Sequence, residues 1–277
     1  MYKKKSLGQH FLTNARYLRA VADTADIKAG EKVLEIGPGE GTLTRELLAR
    51  GAKVVAIEKD HRLIPMLGIV FENEIRAGQL EIIEGDALEW ETEAKPAGKI
   101  SGRPIRPARG HFGSGFCEGD YKVVGNIPYY ITGALLKKFL SAEHQPSTLV
   151  FLIQKEVAER IARSKKESIL SLSIKAYGMP KLVLSVPRGA FSPAPQVDSA
   201  ILAITNISRK NFANRAHEEN FFKLVRAGFA QKRKLLRRNL EETLGPEVGD
   251  KLERAGIARN ARAEDVPVGK WLLLSKN

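Results

Sequence analysis

Asn126, Ile127, Pro128 and Tyr129 stand together directly after the apolar run Tyr121 to Val124, and their types suit the holding of a flat, weakly nucleophilic amine. Asn126 offers an amide carbonyl to an amino group. Pro128 fixes its own φ and restricts Ile127 to extended geometry, so the Ile127 carbonyl points one way, and Tyr129 supplies a stacking face. The same four residues also suit a strand-to-helix turn with Asn as N-cap and Pro at N1. What separates the two readings is whether the chain builds a site for a second reactant beside them.

Upstream, Gly37, Gly39 and Gly41 permit close backbone approach of a nucleotide-like ligand at a helix N-terminus. The pattern begins as G-x-G but carries Thr42 where the pyrophosphate fingerprint wants its third glycine, and Glu58 follows about 20 residues on, where a ribose-binding acid belongs. A nicotinamide-dependent dehydrogenase would share Glu58, although no hydride-transfer partner is recognisable further along the chain. S-adenosylmethionine has a ribose and an adenine but no phosphate, so the looser glycine loop suits it. Glu58 would then take the ribose hydroxyls. Asp86, in Gly85-Asp86-Ala87, either accepts from the adenine amino group or is a turn residue.

The elements that must position these groups read as a strand, glycine loop and helix unit, Lys32 to Ile36 and then Thr42 to Ala49, followed by further strands. These are Lys53 to Ile57 ending in Glu58, Leu80 to Ile83 ending in Gly85-Asp86, Tyr121 to Val124 ending at Asn126, and Thr148 to Ile153. Strands alternating with helices imply an α/β fold with a mainly parallel, doubly wound sheet, whose ligands sit beyond the carboxyl ends of the strands. Gly37, Glu58, Asp86 and Asn126 all fall at such ends. Ser168 to Ala176, Lys181 to Val186 and Ser199 to Ile204 read as an antiparallel edge, with Phe191 to Pro195 as the loop between the last two. Asn14 caps an amphipathic stretch from Tyr17 to Ala25. After about Asn206 the pattern is helical only (Glu218 to Phe229, Lys232 to Leu244, Glu247 to Ala255, Pro267 to Ser275), so the expected division is residues 1–205 and a small all-α domain, 206–277. The segment 91–119, rich in Gly, Pro and Arg, reads as a long surface loop.

A net charge of +13 makes a polyanion the most economical partner, because clustered Lys and Arg gain by releasing counterions from nucleic acid. Lys232, Arg233, Lys234, Arg237 and Arg238 come too densely for a core and should face RNA phosphates. No run is long and apolar enough to span a membrane, and a single cysteine, Cys117, excludes an intramolecular disulfide and a cysteine-rich zinc site. A cytoplasmic, metal-free protein is expected.

With glycine loop, Glu58, Asp86 and Asn126 to Tyr129 in this order, the chain resembles class I methyltransferases that modify adenine amino groups. Gln9 to Leu12, Glu35 to Gly39, Gly85 to Ala87, Gln154 to Val157, Phe191 to Ser199 and Phe229 to Lys234 extend the likeness over nearly the whole chain to the small-subunit ribosomal RNA adenine dimethyltransferases. Two departures are the length of segment 91–119 and Arg188 where a proline is common. The resemblance implies a Rossmann-like methyltransferase domain and N6 dimethylation of two adjacent adenosines in the 3′-terminal hairpin of small-subunit rRNA. It implies that a monomer acts on the immature subunit late in assembly. It also implies that His10, Leu12, Gly37, Gly39, Glu58, Asp86 and Asn126 line the S-adenosylmethionine site, that Tyr129 stacks on the target base and that Phe191 closes over its other face. A macrolide-resistance methylase acting on large-subunit rRNA, and a noncatalytic RNA-binding assembly factor on the same fold, are the alternatives.

Overall fold

The computed structural model describes residues 10–90 and 119–276. Its strands, in chain order, are β1 (Phe11–Leu12), β2 (Lys32–Ile36), β3 (Lys53–Glu58), β4 (Leu80–Glu84), β5 (Tyr121–Asn126), β6 (Thr148–Gln154), β7 (Met179–Val186), β8 (Phe191–Ser192) and β9 (Ser199–Thr205). Seven form one sheet in the order β4-β3-β2-β5-β6-β9-β7, and β1 pairs with β8 in a separate two-stranded ribbon. Neighbours from β4 to β6 are parallel, while β9 runs antiparallel to both β6 and β7. The chain moves outward from β2 to β4 and then returns to the other side of β2 as β5. Its order therefore reverses between β2 and β5, the place where α/β sheets open a ligand crevice.

Both faces of the sheet are covered, which is why the strands read as continuous apolar runs. Residues alternate between the faces with period two. Val33, Val54, Ala56, Val124, Val150 and Leu152 pack with Leu18, Val21, Leu43, Leu47, Leu67 and Phe71. The last six lie on or beside α1 (Ala15–Thr24), α2 (Thr42–Ala49), α3 (Ile64–Val70) and α4 (Glu72–Arg76). Leu34, Ile36, Val55, Ile57, Val123, Leu149 and Phe151 face the other way, against α5 (Thr132–Ser141), α6 (Lys155–Ala162) and α7 (Ile169–Tyr177). As expected, Asn14 caps α1, its Oδ1 accepting from Arg16 N at 3.0 Å.

Ser168 to Ala176, expected as a strand, is instead helix α7. Ser168 and Ser171 bond each other's backbone N–H in a capping box that starts the helix. The even-numbered Leu170, Leu172, Ile174 and Ala176 mimic a strand because this helix is buried around most of its circumference, which erases the 3.6-residue period. The remaining helices are α8 (Arg215–Gly228), α9 (Leu236–Leu244), α10 (Val248–Arg254) and α11 (Val268–Ser275). Lys232 to Leu235, expected inside a helix, form the connection from α8 to α9. Four consecutive residues from Gln231 to Lys234 offer nothing apolar to bury, and helical packing resumes only with Leu236 and Leu240.

Candidate active site

The crevice at the ends of β2 and β5 is where the predicted groups meet. β5 ends at Asn126, whose Nδ2 donates to the His10 carbonyl at 2.8 Å. That bond fixes the direction of the amide, and Oδ1 accepts no hydrogen bond among the described residues. Pro128 holds φ −57 and ψ 135, and Ile131 N donates to its carbonyl at 3.2 Å, opening a tight turn from Tyr129 to Ile131. The Tyr129 hydroxyl and Ser199 Oγ are 2.7 Å apart, with Ser199 fully buried at the start of β9. Burial raises the Tyr129 pKa above its ordinary value, so the ring is neutral at physiological pH. His10 lies near-parallel to Tyr129, with ring centroids 6.3 Å apart and 23° between planes. Phe191 borders the same pocket from β8.

At the other end of the pocket the glycine loop crosses from β2 to α2. Gly39 has φ +60, and a Cβ there would lie 2.6 Å from the Phe11 ring, so only glycine fits the turn. Its N–H donates to Glu58 Oε2 at 3.0 Å, and Asp60 N donates to Oε1 at 2.8 Å. Glu58 is only 5% exposed. Burial raises its pKa against the opposing effect of those two N–H donors. Asp86 receives Leu88 N at 2.9 Å on Oδ1 and Lys59 Nζ at 2.6 Å on Oδ2. Burial works against its ionisation, but the Lys59 ammonium and the Leu88 N–H outweigh it and hold the carboxyl below its ordinary pKa.

The N-terminal arm closes this end. Phe11 and Leu12 pair with Ser192 and Phe191, Thr13 N donates to Ala190 O at 3.0 Å, and His10 Nδ1 is 2.8 Å from Pro193 O. His10, Gly37, Gly39, Glu58, Asp86, Asn126, Ile127, Tyr129 and Phe191 therefore line one pocket. Leu12 does not line it. Its side chain is buried in the core, and its carbonyl accepts Thr42 Oγ1 at 3.4 Å. Phe191 is likewise largely buried, so it both packs in the core and borders the pocket. Lys232, Arg233, Lys234, Arg237 and Arg238 are all exposed and lie outside the pocket lining. Gln9, Cys117 and segment 91–118 fall outside the described residues.

Several contributors escaped the sequence reading. Phe11 presses on Gly39, Lys59 pairs with Asp86, and Ser199 anchors Tyr129. Position beside a predicted residue was the signal for Lys59, whereas Ser199 is brought to Tyr129 only by the β6-β9 pairing. Arg188, at the position where proline is common, donates its backbone N–H to Asp198 Oδ1 at 2.9 Å, a bond proline lacks.

The lining is apolar at Ile36, Ile57, Ala87 and Ile127, and acidic at Glu58 and Asp86. Among the described residues, the one Lys or Arg on the lining is Lys59, already paired with Asp86. Glu58 would serve the ribose of a dinucleotide as well, but among the described residues the lining offers a pyrophosphate no unpaired cation. A phosphate-free nucleoside carrying a sulfonium charge fits it: carboxylate acceptors, apolar walls and glycine backbone at close range.

The chain matches the ribosomal RNA adenine dimethylase family model over residues 1–277. It is 39% identical over 272 residues to ribosomal RNA small subunit methyltransferase A of Dehalococcoides mccartyi, covering 97% of this chain and 86% of the relative. With the protein of the same name from Deinococcus radiodurans it shares 38% over 270 residues, 95% and 82% of the two chains. Among solved structures, the 23S rRNA methyltransferase ErmE superposes with TM-score 0.74 at 27% identity, covering 96% of this chain and 98% of its own. A dimethyladenosine transferase from Plasmodium falciparum does so with TM-score 0.74 at 26%, covering 96% of each.

Proposed function

The chain belongs to the ribosomal RNA adenine dimethylase family, and from that premise we infer that it transfers methyl groups from S-adenosylmethionine to adenosine N6 in small-subunit rRNA. The observation that carries this reading is the Asn126 amide, turned by His10 so that Oδ1 is left for an incoming donor, in the same pocket as Glu58 and Asp86. Bound S-adenosylmethionine supplies a methyl carbon that is already strongly electrophilic. The protein's task is therefore to present the amine. Asn126 Oδ1 and the Ile127 carbonyl accept the two N6 protons, which favours a pyramidal nitrogen whose lone pair points at the methyl group, and alignment supplies most of the rate. The nitrogen–methyl bond forms as the sulfur–methyl bond breaks, and the extra proton leaves to water.

Tyr129, held by Ser199, stacks on the extruded base, and Phe191 bounds its other face; each stacking contact returns roughly 1 to 3 kcal/mol against the cost of extrusion. Glu58 takes the ribose hydroxyls and Asp86 the adenine amino group. Leu12 contributes only through its backbone. The finer reading is that a cytoplasmic monomer dimethylates two adjacent adenosines of the 3′-terminal hairpin on the immature small subunit. Residues 206–277 form the rRNA-holding unit, with Lys232, Arg233, Lys234, Arg237 and Arg238 on phosphates.

Incubation with labelled S-adenosylmethionine and subunits lacking adenine dimethylation, followed by nucleoside identification, tests this reading. Dimethyladenosine in small-subunit rRNA is expected, and its appearance in large-subunit rRNA alone would favour the ErmE-like alternative. In the same assay Asn126→Ala should lower product formation by roughly 100-fold or more, as for removal of one preorganised transition-state partner, while the subunit still binds. Near-normal methylation by Asn126→Ala would overturn the mechanism.

A further inference from the structure

We propose that Tyr130 is a stacking platform for the nucleotide flanking the target adenosine, a proposal that rests on the reading of this pocket as an RNA adenine site. Tyr130 is 66% exposed, and among the exposed large apolar residues of the described chain it alone lines the pocket. The turn from Tyr129 to Ile131 explains its direction. With three residues per turn, successive side chains leave about 120° apart. Tyr129 turns toward buried Ser199, Ile131 packs against the core below α5, and Tyr130 is left facing out at the pocket mouth.

The platform is rigid. Its turn is closed by the Ile131 N–H on the Pro128 carbonyl and runs directly into α5, so the ring loses little backbone freedom on binding. Tyr130 makes no hydrogen bond among the described residues. Lys59 lines the same pocket, and its ammonium is drawn to Asp86 at 2.6 Å. The mouth thus presents an aromatic face beside a neutralised cation, which recognises a base better than a phosphate.

RNA geometry supplies the occupant. A base extruded onto Tyr129 is joined to the next nucleotide by one sugar–phosphate linkage, as Tyr129 is joined to Tyr130 by one peptide. Extrusion also strips the neighbouring base of a stacking partner, and an aromatic ring at the mouth replaces it without reading sequence.

Tyr130→Ala and Tyr130→Phe test the proposal, using a hairpin RNA of whichever subunit the wild-type protein methylates. Tyr130→Ala should raise the KM for RNA about tenfold, the loss of one base–aromatic stack, while Tyr130→Phe stays near wild type and donor affinity by calorimetry is the same in all three. With 2-aminopurine placed in turn on the 5′ and 3′ side of the target, fluorescence should be quenched on binding wild type and Tyr130→Phe, and less so on binding Tyr130→Ala. An unchanged KM and quench in Tyr130→Ala would overturn the proposal. So would a parallel fall in donor affinity, which would assign the ring to the donor. Methylation of neither subunit's RNA by the wild type would instead overturn the functional reading, and the proposal with it.

Discussion

At the scale of single residues, the carboxylates behave according to what surrounds them. Glu58 is buried yet has two backbone donors, one of them from the glycine loop, so it shapes that loop as well as lining the pocket. Glu58→Ala should therefore weaken S-adenosylmethionine binding by about 1.5 to 3 kcal/mol, the worth of a charged acceptor, read by calorimetry. Glu35 is different. Only 1% exposed on β2, it has no hydrogen-bond partner for either oxygen among the described residues, with the equally unpartnered Thr44 Oγ1 of α2 beside it. Burial raises its pKa from 4.5 to about 8. A group raised on folding contributes stability that is full below the unfolded value and lost as pH rises through the folded one, so the loss falls between pH 4.5 and about 8. Glu35→Gln should flatten the decline of Tm with pH in that window relative to wild type, at about 1.4 kcal/mol for each pH unit of the slope removed.

At the scale of elements, the site depends on a ribbon that no single segment specifies. β1 and β8 pair across the chain and hold His10 against Asn126 on one side and Pro193 on the other. The connection from α8 to α9 has the opposite character: exposed, cationic, and tied by backbone bonds such as Leu236 N to Ala261 O at 2.8 Å. Arg237 and Arg238 approach Glu241 only at 4.0 and 3.9 Å, exposed pairs of little worth that leave both cations available. Replacing Lys232, Arg233 and Arg237 by Glu should weaken subunit binding and reduce its salt slope by about 0.9 for each phosphate no longer neutralised, taking the duplex-DNA value as a guide. Donor affinity should be unaffected. Unaltered binding across a salt titration would give this connection another role.

At the scale of the whole molecule, one apolar cluster runs from Leu34 and Val55 of the sheet through α5 and α7 to Phe221, Leu224, Leu240 and Trp271 of the C-terminal helices. Phe212 packs edge-on against both Tyr177 and Phe221, joining α7 to α8. Gly228 lets α8 approach α11: a Cβ there would lie 2.4 Å from the Trp271 ring and 2.8 Å from Leu236. Gly228→Ala should cost about 1 to 3 kcal/mol by overpacking. Because the cluster is shared, the destabilisation should appear as a lower Tm of a single calorimetric transition rather than as separate melting of the C-terminal helices.

The parallel strands, a glycine loop allowing close backbone approach and the placing of Gly37, Glu58, Asp86 and Asn126 at strand ends were legible in the sequence alone. Each of these depends on local period, backbone freedom or position within one strand-loop-helix unit. The sequence also determined the density of charge from Lys232 to Arg238, since adjacent cations cannot be buried together. Tertiary structure decided what depends on distant partners. Ser168 to Ala176 reads as a strand because burial on many sides removes the periodicity by which helices are recognised, while the Ser168–Ser171 capping box and packing on many sides settle it as helix. Leu12 left the pocket lining because β1 pairs with β8 and its side chain falls into the core. Ser199 came to Tyr129, and Lys59 to Asp86, across strands separated in the chain, so the anchoring of the Tyr129 ring and the ionisation of Asp86 were set only when the sheet assembled.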